Sequence, residues 1–481
     1  MNNRYWSGFL LVLILADVVL TYWQNYQLPL DGDLVAIVFP APWYTPVLHD
    51  PFGWAVLTKN ATYAATNRFF AHAAMGLYWK QVPHLLQRFT TPINSLYVAV
   101  ALFNTAVQLA LALLLAAYVR VGAGARSGSW GYWLAVALLV PLFQTEGLYN
   151  QMGITNFAVT YTFFYAFPAT LLLLLLWPFY RAAHRGQPLR LRAWQAVLLV
   201  LLMMVISFNG PVITAAVAVL LLGIGLYWAR RQWRAGLRWP KLRAVPGEWL
   251  SGQTLLLLGI LGALSVYSLY IGRNNAENGH SHTLGELYQL LPKGILLELG
   301  NDWGLPVLIL LIVLNAQLIR RFVPASPERQ WVLSSLRAVG WFAVVFLLLL
   351  PLGGYRDYRP YLVRGDSILP ILLGLFYAYG VSTYFLLFQL KGIWRRRYSV
   401  VVGVFLFAFI YVDTTLKLPR NNDCERWALD QLARAPEPVV RLSPFCTVLS
   451  WAPMYDAHQS ELQAEMLRYW GVTTRKKLYY Q

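Results

Sequence analysis

Apolar residues in this chain gather into runs of about 17 to 25, the length at which a helix crosses a bilayer. Eleven such runs can be read: 7–23, 94–118, 130–146, 154–179, 194–208, 211–228, 250–271, 304–319, 334–352, 367–390 and 398–415. They predict an all-α polytopic membrane protein. The pair 194–208 and 211–228 is divided only by Phe208-Asn209-Gly210-Pro211, a tight turn or a break within one hairpin. Three stretches fall outside the runs. The loop 24–91 is far longer than an ordinary connector. It is half apolar, and its segments 33–39 and 67–72 suit helices lying at the interface. Trp43, Tyr44, Trp54, Tyr78 and Trp79 in that loop are headgroup-level residue types. The loop 272–303 carries His280-Ser281-His282 and several acids. The tail 416–481 has helical patterning at 427–432 and 460–469 and reads as a small cap. The predicted division is a membrane domain, 1–415, followed by this cap, 416–481.

Composition supports the membrane reading. The chain is 58% hydrophobic and only 12% charged, against about a quarter charged in soluble domains. Charge also sets an expected orientation. With the amino terminus in the cytoplasm, more than half of the 39 Lys and Arg fall on the inner side. Arg4, Arg120, Arg126, the group Arg230 to Arg243, and Lys391 to Arg397 are examples. Of the acids only Glu248 and Glu328 fall there. The carboxyl-terminal tail is then extracytoplasmic, and the expected location is the plasma (bacterial inner) membrane. A net charge of +18 needs no nucleic-acid partner, since an inner basic excess beside anionic membrane lipids accounts for it. Phe9 to Leu20 is followed by no small-x-small cleavage pattern and is expected to be a retained anchor.

Cys424 and Cys446 both fall in the tail, on the expected oxidising side. A disulfide is expected there, closing a loop of about 22 residues and contributing about 3 kcal/mol. Two free thiols are the other reading.

The candidate chemistry starts at Asp31-Gly32-Asp33, just past the first run. A glycine between acids allows both carboxylates to converge on one cation, with Mg²⁺ or Mn²⁺ bridging a phosphate as one occupant. One acid alone also suffices as a general base for an acceptor hydroxyl. The plain alternative is a helix cap. An acid pair in a long, semi-helical first loop of a polytopic protein resembles the GT-C superfamily of integral-membrane glycosyltransferases. The resemblance covers the layout: a short inner amino terminus, interfacial helices, about eleven spans and an outer cap. It implies a polyprenyl-phosphate-linked sugar donor, with Asp31 and Asp33 as the matching catalytic or metal-binding positions. It leaves open whether the acceptor is a glycan, a lipid or a protein.

His49-Asp50-Pro51, in the same loop, offers a further acid or substrate contact, or else a turn before proline. Arg356, Arg359 and Arg364 crowd a short outer loop, against the inner bias, among Tyr355, Tyr358 and Tyr361. Arginine grips phosphate in bidentate fashion, so this loop is the expected donor-phosphate clamp, with Tyr361 beside it. Its alternative is internal pairing with Asp357 and Asp366. Glu146 marks another outer turn and a further candidate substrate contact. Asp17 is an acid inside a span, functional by default unless a neighbouring helix partners it. His280-x-His282 offers only two ligands and reads as a solvated loop. Two other classes compete with the transferase: a flippase of lipid-linked sugars, and a non-catalytic assembly protein.

Overall fold

In a computed structural model, residues 3–124, 128–234, 249–415, 421–443 and 446–481 are described. Arg126, Arg238, Lys241, Arg243, Glu248 and the first residues of the tail lie outside them. The fold is all-α apart from one short pair of strands. Among the described residues nine helices are long and apolar enough to cross a membrane, from Tyr5–Tyr26 to Gly392–Thr415. Two further apolar helices, Ser129–Leu142 and Ala193–Ser207, are shorter. These eleven occupy the eleven runs. The short ones stop early for visible reasons. The first tightens into a 3₁₀ turn at Val140–Leu142, around Pro141. The second ends at Phe208, and the chain turns through Gly210 at φ +114° before Pro211 opens the next helix.

Helix Leu369–Gln389 is apolar on every side, the mark of a helix surrounded by protein. It sits at the centre, with 72% of its apolar window buried against 11% for Tyr5–Tyr26. Its neighbours include Pro92–Gly122, Gly304–Phe322 and Pro327–Leu349. A Cβ on Gly380 would meet Val119 at 2.7 Å, so the small residue sets how closely two helices approach. Asn315 donates to Ser382 and Thr383, each at 3.0 Å, and accepts from Tyr398 at 2.8 Å, tying three helices together.

The first loop folds as short helices Leu34–Val38, Thr45–His49 and Trp54–Lys59, followed by the longer Phe69–Leu86. The loop 272–303 contains a helix that its polar ends obscured, Leu284–Gly300. A capping box between Thr283 and Glu286 starts it.

In the tail, helices Asp423–Arg434 and Glu461–Tyr469 accompany a parallel pair, Val439–Arg441 with Leu478–Tyr480. The tail has no core of its own. Leu429, Leu432, Met466 and Trp470 share one buried cluster with Leu34, Trp79, Leu96 and Tyr97 of the amino-terminal part. Glu425 fastens the two: it accepts from Leu30 N–H at 2.9 Å, Tyr97 hydroxyl at 3.0 Å and Leu449 N–H at 3.2 Å. The expected disulfide is not formed here. Cys424 and Cys446 are free thiols, with Cys446 Sγ 3.2 Å from the Cys424 carbonyl oxygen.

Candidate functional site

Asp31 and Asp33 do different things. Asp31 is buried, and Thr160 holds it twice: hydroxyl to Oδ1 at 2.7 Å and N–H to Oδ2 at 3.1 Å. The Asp33 N–H adds a third bond at 3.2 Å. Burial pushes the Asp31 carboxyl up to about 6, and the Thr160 bonds offset this only in part. Asp33 is half-buried and turns to the tail, where Trp451 Nε1 donates to its Oδ1 at 3.0 Å. Gly32 also has a steric role: a Cβ there would lie 2.5 Å from the Trp451 backbone nitrogen, so its smallness admits the cap. Among the described residues no group of three or more His, Cys, Asp or Glu is arranged to hold a metal.

The arginine loop is partly self-paired. Arg364 makes a bidentate pair with Asp366, Nε and Nη2 each at 3.0 Å. Arg356 finds its partner in another loop: Nη2 lies 2.7 Å from Glu277 Oε2, and Nη1 donates to the Glu277 carbonyl. Among the described residues Asp357 pairs with no arginine. It accepts the N–H groups of His280 and Ser281, and the bonds from Ser281 above all hold its carboxyl below the usual range. Arg359 stacks its guanidinium on Tyr358 at 5.1 Å and makes no carboxylate pair among the described residues. Tyr361 lies under Lys293, Nζ 5.3 Å from the ring centre.

Two tyrosines join these groups. The helical segment that begins at Val159 widens into a π turn at Thr162–Ala166 before continuing as Phe167–Arg185. Such widened turns recur at functional sites because they redirect side chains. Tyr161, just before it, stacks on Trp451, the indole that holds Asp33, at 6.3 Å, and lies near enough to Asp33 and Arg359 to feel both charges. Tyr165, within it, lies in the fields of Asp366, Arg68, Arg364 and Arg356. The two rings lie 6.1 Å apart, with the charges of Asp33 and Arg359 acting on Tyr161 and those of Arg68, Arg356 and Arg364 on Tyr165.

Arg68, His72, Tyr44 and Glu277 complete the site, and sequence reading did not single them out as site residues. Arg68 lies over the Phe164 ring at 5.4 Å, with no carboxylate at salt-bridge distance among the described residues. One turn on, His72 is buried between the rings of Tyr44 and Phe164, 5.0 and 5.2 Å away. Neither ring nitrogen has a hydrogen-bond partner. Burial, then Arg68, pushes its imidazole down to about 3. Tyr44 donates to Glu277 Oε1 at 2.7 Å. Burial alone would raise the Glu277 carboxyl, but Arg68, Arg356 and the Tyr44 bond outweigh it and leave it below its ordinary value. Glu298 behaves oppositely: burial and nearby Asp366 push it up to about 7. The one signal that pointed to Arg68 was its place beside aromatic residues in the first loop.

Three expected site residues stand elsewhere. Asp50 caps a helix, accepting N–H groups from Trp54 at 2.6 Å and Ala55 at 2.8 Å and the Tyr63 hydroxyl at 2.9 Å. His49 is exposed at the end of its helix. Glu146 belongs to a turn whose Thr145 and Glu146 N–H groups donate to Asp413 at 2.9 and 2.8 Å. The chain matches no protein-family model and has no significant match among curated proteins.

Proposed function

We infer that this chain is a glycosyltransferase of the GT-C type, moving a sugar from a polyprenyl-phosphate-linked donor to an acceptor at the extracytoplasmic face. The observation that carries this reading is the chain of contacts from Asp33 through Trp451 to Tyr161 and Tyr165, with Arg359 near the first ring and Arg68, Arg356 and Arg364 near the second. A sugar phosphate needs a base on one side of the anomeric carbon and cations on the other. Asp33 is the base. It is half-buried, with Trp451 donating to its Oδ1, whereas both oxygens of Asp31 are committed to Thr160. Arg359 and Arg68, which have no carboxylate pair among the described residues, receive the donor phosphate. Arg356 and Arg364, already paired, fix the loop around it.

The acceptor hydroxyl attacks the anomeric carbon as its proton passes to Asp33. The bond from that carbon to the phosphate oxygen breaks, and the phosphate leaves with the electron pair beside the two free arginines. One direct displacement inverts the anomeric configuration. The donor set does not fit the two-carboxylate Mg²⁺ or Mn²⁺ site first considered, because Asp31 is sealed against Thr160 while Asp33 faces indole and phenol donors. No step is routed through a metal. The amino terminus is assigned to the cytoplasm and the tail to the extracytoplasmic side of the plasma membrane, on the distribution of Lys and Arg.

Purified protein incubated with a panel of polyprenyl-phosphate sugars and candidate acceptors tests the proposal. One donor should be consumed with formation of a new glycosidic bond, and Asp33→Asn should lose that product while inserting normally. Product formation unchanged in Asp33→Asn removes the base. A second reading, a flippase of the same lipid, draws on two acids in the spans, Asp17 and Asp413. It predicts donor translocation in liposomes with no glycosidic product.

A further inference from the structure

The first helix presents an inward stripe of Ile14, Asp17, Thr21 and Gln24, spaced three and four residues apart, while Val12, Leu15 and Val19 on its other flanks are exposed. Asp17 therefore lies on the protein-facing side and is half-buried. It lines a half-open cavity of about 10 Å³ together with Thr21, Thr105 and Gln108, with Ala112 and Phe143 among its apolar walls. That volume accepts one small sphere, about a single water or a bare ion.

The polar atoms around the cavity are unevenly satisfied. Gln108 is fixed, its Nε2 donating to Thr21 Oγ1 at 3.2 Å and its Oε1 accepting from Thr155 at 3.1 Å. The Thr105 hydroxyl is buried, lines the cavity and has no hydrogen-bond partner. Asp17 takes part in no hydrogen bond or ion pair among the described residues. The other span acid, Asp413, lies near enough to repel it and is itself answered by the Thr145 and Glu146 N–H groups and by the Gln24 amide at 3.4 Å. A lone carboxylate in a membrane interior is costly without a counter-charge. The lining supplies only oxygen ligands of the hard class and a single negative charge.

We propose that the Asp17 cavity binds one sodium-sized monovalent cation, held by the Asp17 carboxylate and the hydroxyl oxygens of Thr21 and Thr105. The ion neutralises Asp17, which has no donor among the described residues, and locks the first helix to Pro92–Gly122. This site is separate from the Tyr161 junction and does not rest on the transferase reading.

The test uses the full chain in nanodiscs at alkaline pH. Unfolding midpoints are compared in sodium, potassium and choline chloride at equal ionic strength, and retention of radiolabelled sodium is counted. The expected result is a saturable upward shift in sodium alone, with one equivalent retained. Asp17→Asn should lose both. Thr105→Val, which keeps the shape and removes one ligand, should weaken retention about tenfold, the loss of one such contact. Equal midpoints in the three salts with no retained sodium overturn the proposal, leaving the cavity to a water or to a protonated Asp17. Wild-type protein alone decides this, so the outcome stands even if Asp17→Asn does not fold.

Discussion

Trp451 donates its indole N–H to the Asp33 carboxylate at 3.0 Å, across 418 positions of the chain. A tail residue thus orients the acid on which the proposed chemistry depends. Trp451→Phe keeps the ring against Tyr161, which it stacks on at 6.3 Å, and deletes only the donor. The expected outcome is about tenfold slower transfer, the value of one hydrogen bond to a charged group. Asp33→Asn should lose about 10² to 10⁴, as removal of a general base does. Single-turnover rates on the two variants check both.

Arg359 and Arg364 sit five positions apart and should fail differently. Arg359 has no carboxylate pair among the described residues, so Arg359→Ala should raise KM for the donor about tenfold, the loss of one charge-assisted contact, with the unfolding midpoint unchanged. Arg364 neutralises Asp366 in a partly buried pair beside Glu298. Arg364→Ala should cost about 2 kcal/mol of stability as well as activity, because two acids are left facing each other. Donor titrations and thermal unfolding on the same preparations separate the two effects.

Stability should follow pH through the joint between tail and first loop. Burial holds the Asp31 carboxyl at about 6 and the Glu425 carboxyl at about 7, from ordinary values of 3.8 and 4.5. The folded state binds these protons more tightly than the unfolded chain. Their contribution is complete below about pH 4 and is lost as pH rises through about 6 to 7. Glu298 acts in the same direction. His72, held at about 3 by burial and Arg68, acts in the other, because unfolding lets it protonate. Glu425→Gln sacrifices one acceptor but no longer titrates. The difference between its midpoint-versus-pH curve and that of the wild type should therefore change across this window and flatten on either side. Parallel curves would show that Glu425 carries no such linkage.

His49 and Asp50 are neighbours with separate fates. His49→Ala should leave stability within about 0.5 kcal/mol, as for an exposed side chain, and leave transfer unchanged. Asp50→Ala removes three accepted bonds at the start of helix Trp54–Lys59 and should cost about 1 kcal/mol. Its kcat should stay at the wild-type value. A substantial loss of kcat in either variant would return the pair to the site.

Cys424 and Cys446 lie side by side as thiols. Mild oxidant should join them, detected as a two-proton mass loss and blocked alkylation. The closed form should be more stable by about 3 kcal/mol, the loop-closure value for a chain of this span. Cys446→Ser should abolish both signals.

Much of the fold was legible because burial in lipid demands apolar helices: each run holds one, and among the described residues nine of them are long enough to cross a membrane. Arg356, Arg359 and Arg364 were visible because they broke the inner bias in charge. Their partners were not. Asp357 is adjacent to Arg356 in sequence, yet the pairing acid is Glu277 from a different loop. Tyr161 and Tyr165 fell within an apolar run, where aromatics pass for lipid-facing residues, and nothing in their spacing announces a π turn. Asp413, near the end of the last run, carried no sequence signal of its own, although it organises the turn at Thr145 and Glu146. His72 was read as part of an interfacial helix, since a lone histidine there carries no pattern.

The shared core of tail and first loop has a consequence for biogenesis. Asn422 donates its N–H to the Gln27 carbonyl at 2.8 Å, and Glu425 receives Leu30, so the acid-bearing turn lacks part of its support until the ribosome has made nearly the whole polypeptide. At about 5 to 20 residues per second, translation leaves that turn waiting for on the order of tens of seconds after it emerges. Prematurely terminated products would insert their helices yet leave that turn without its tail contacts.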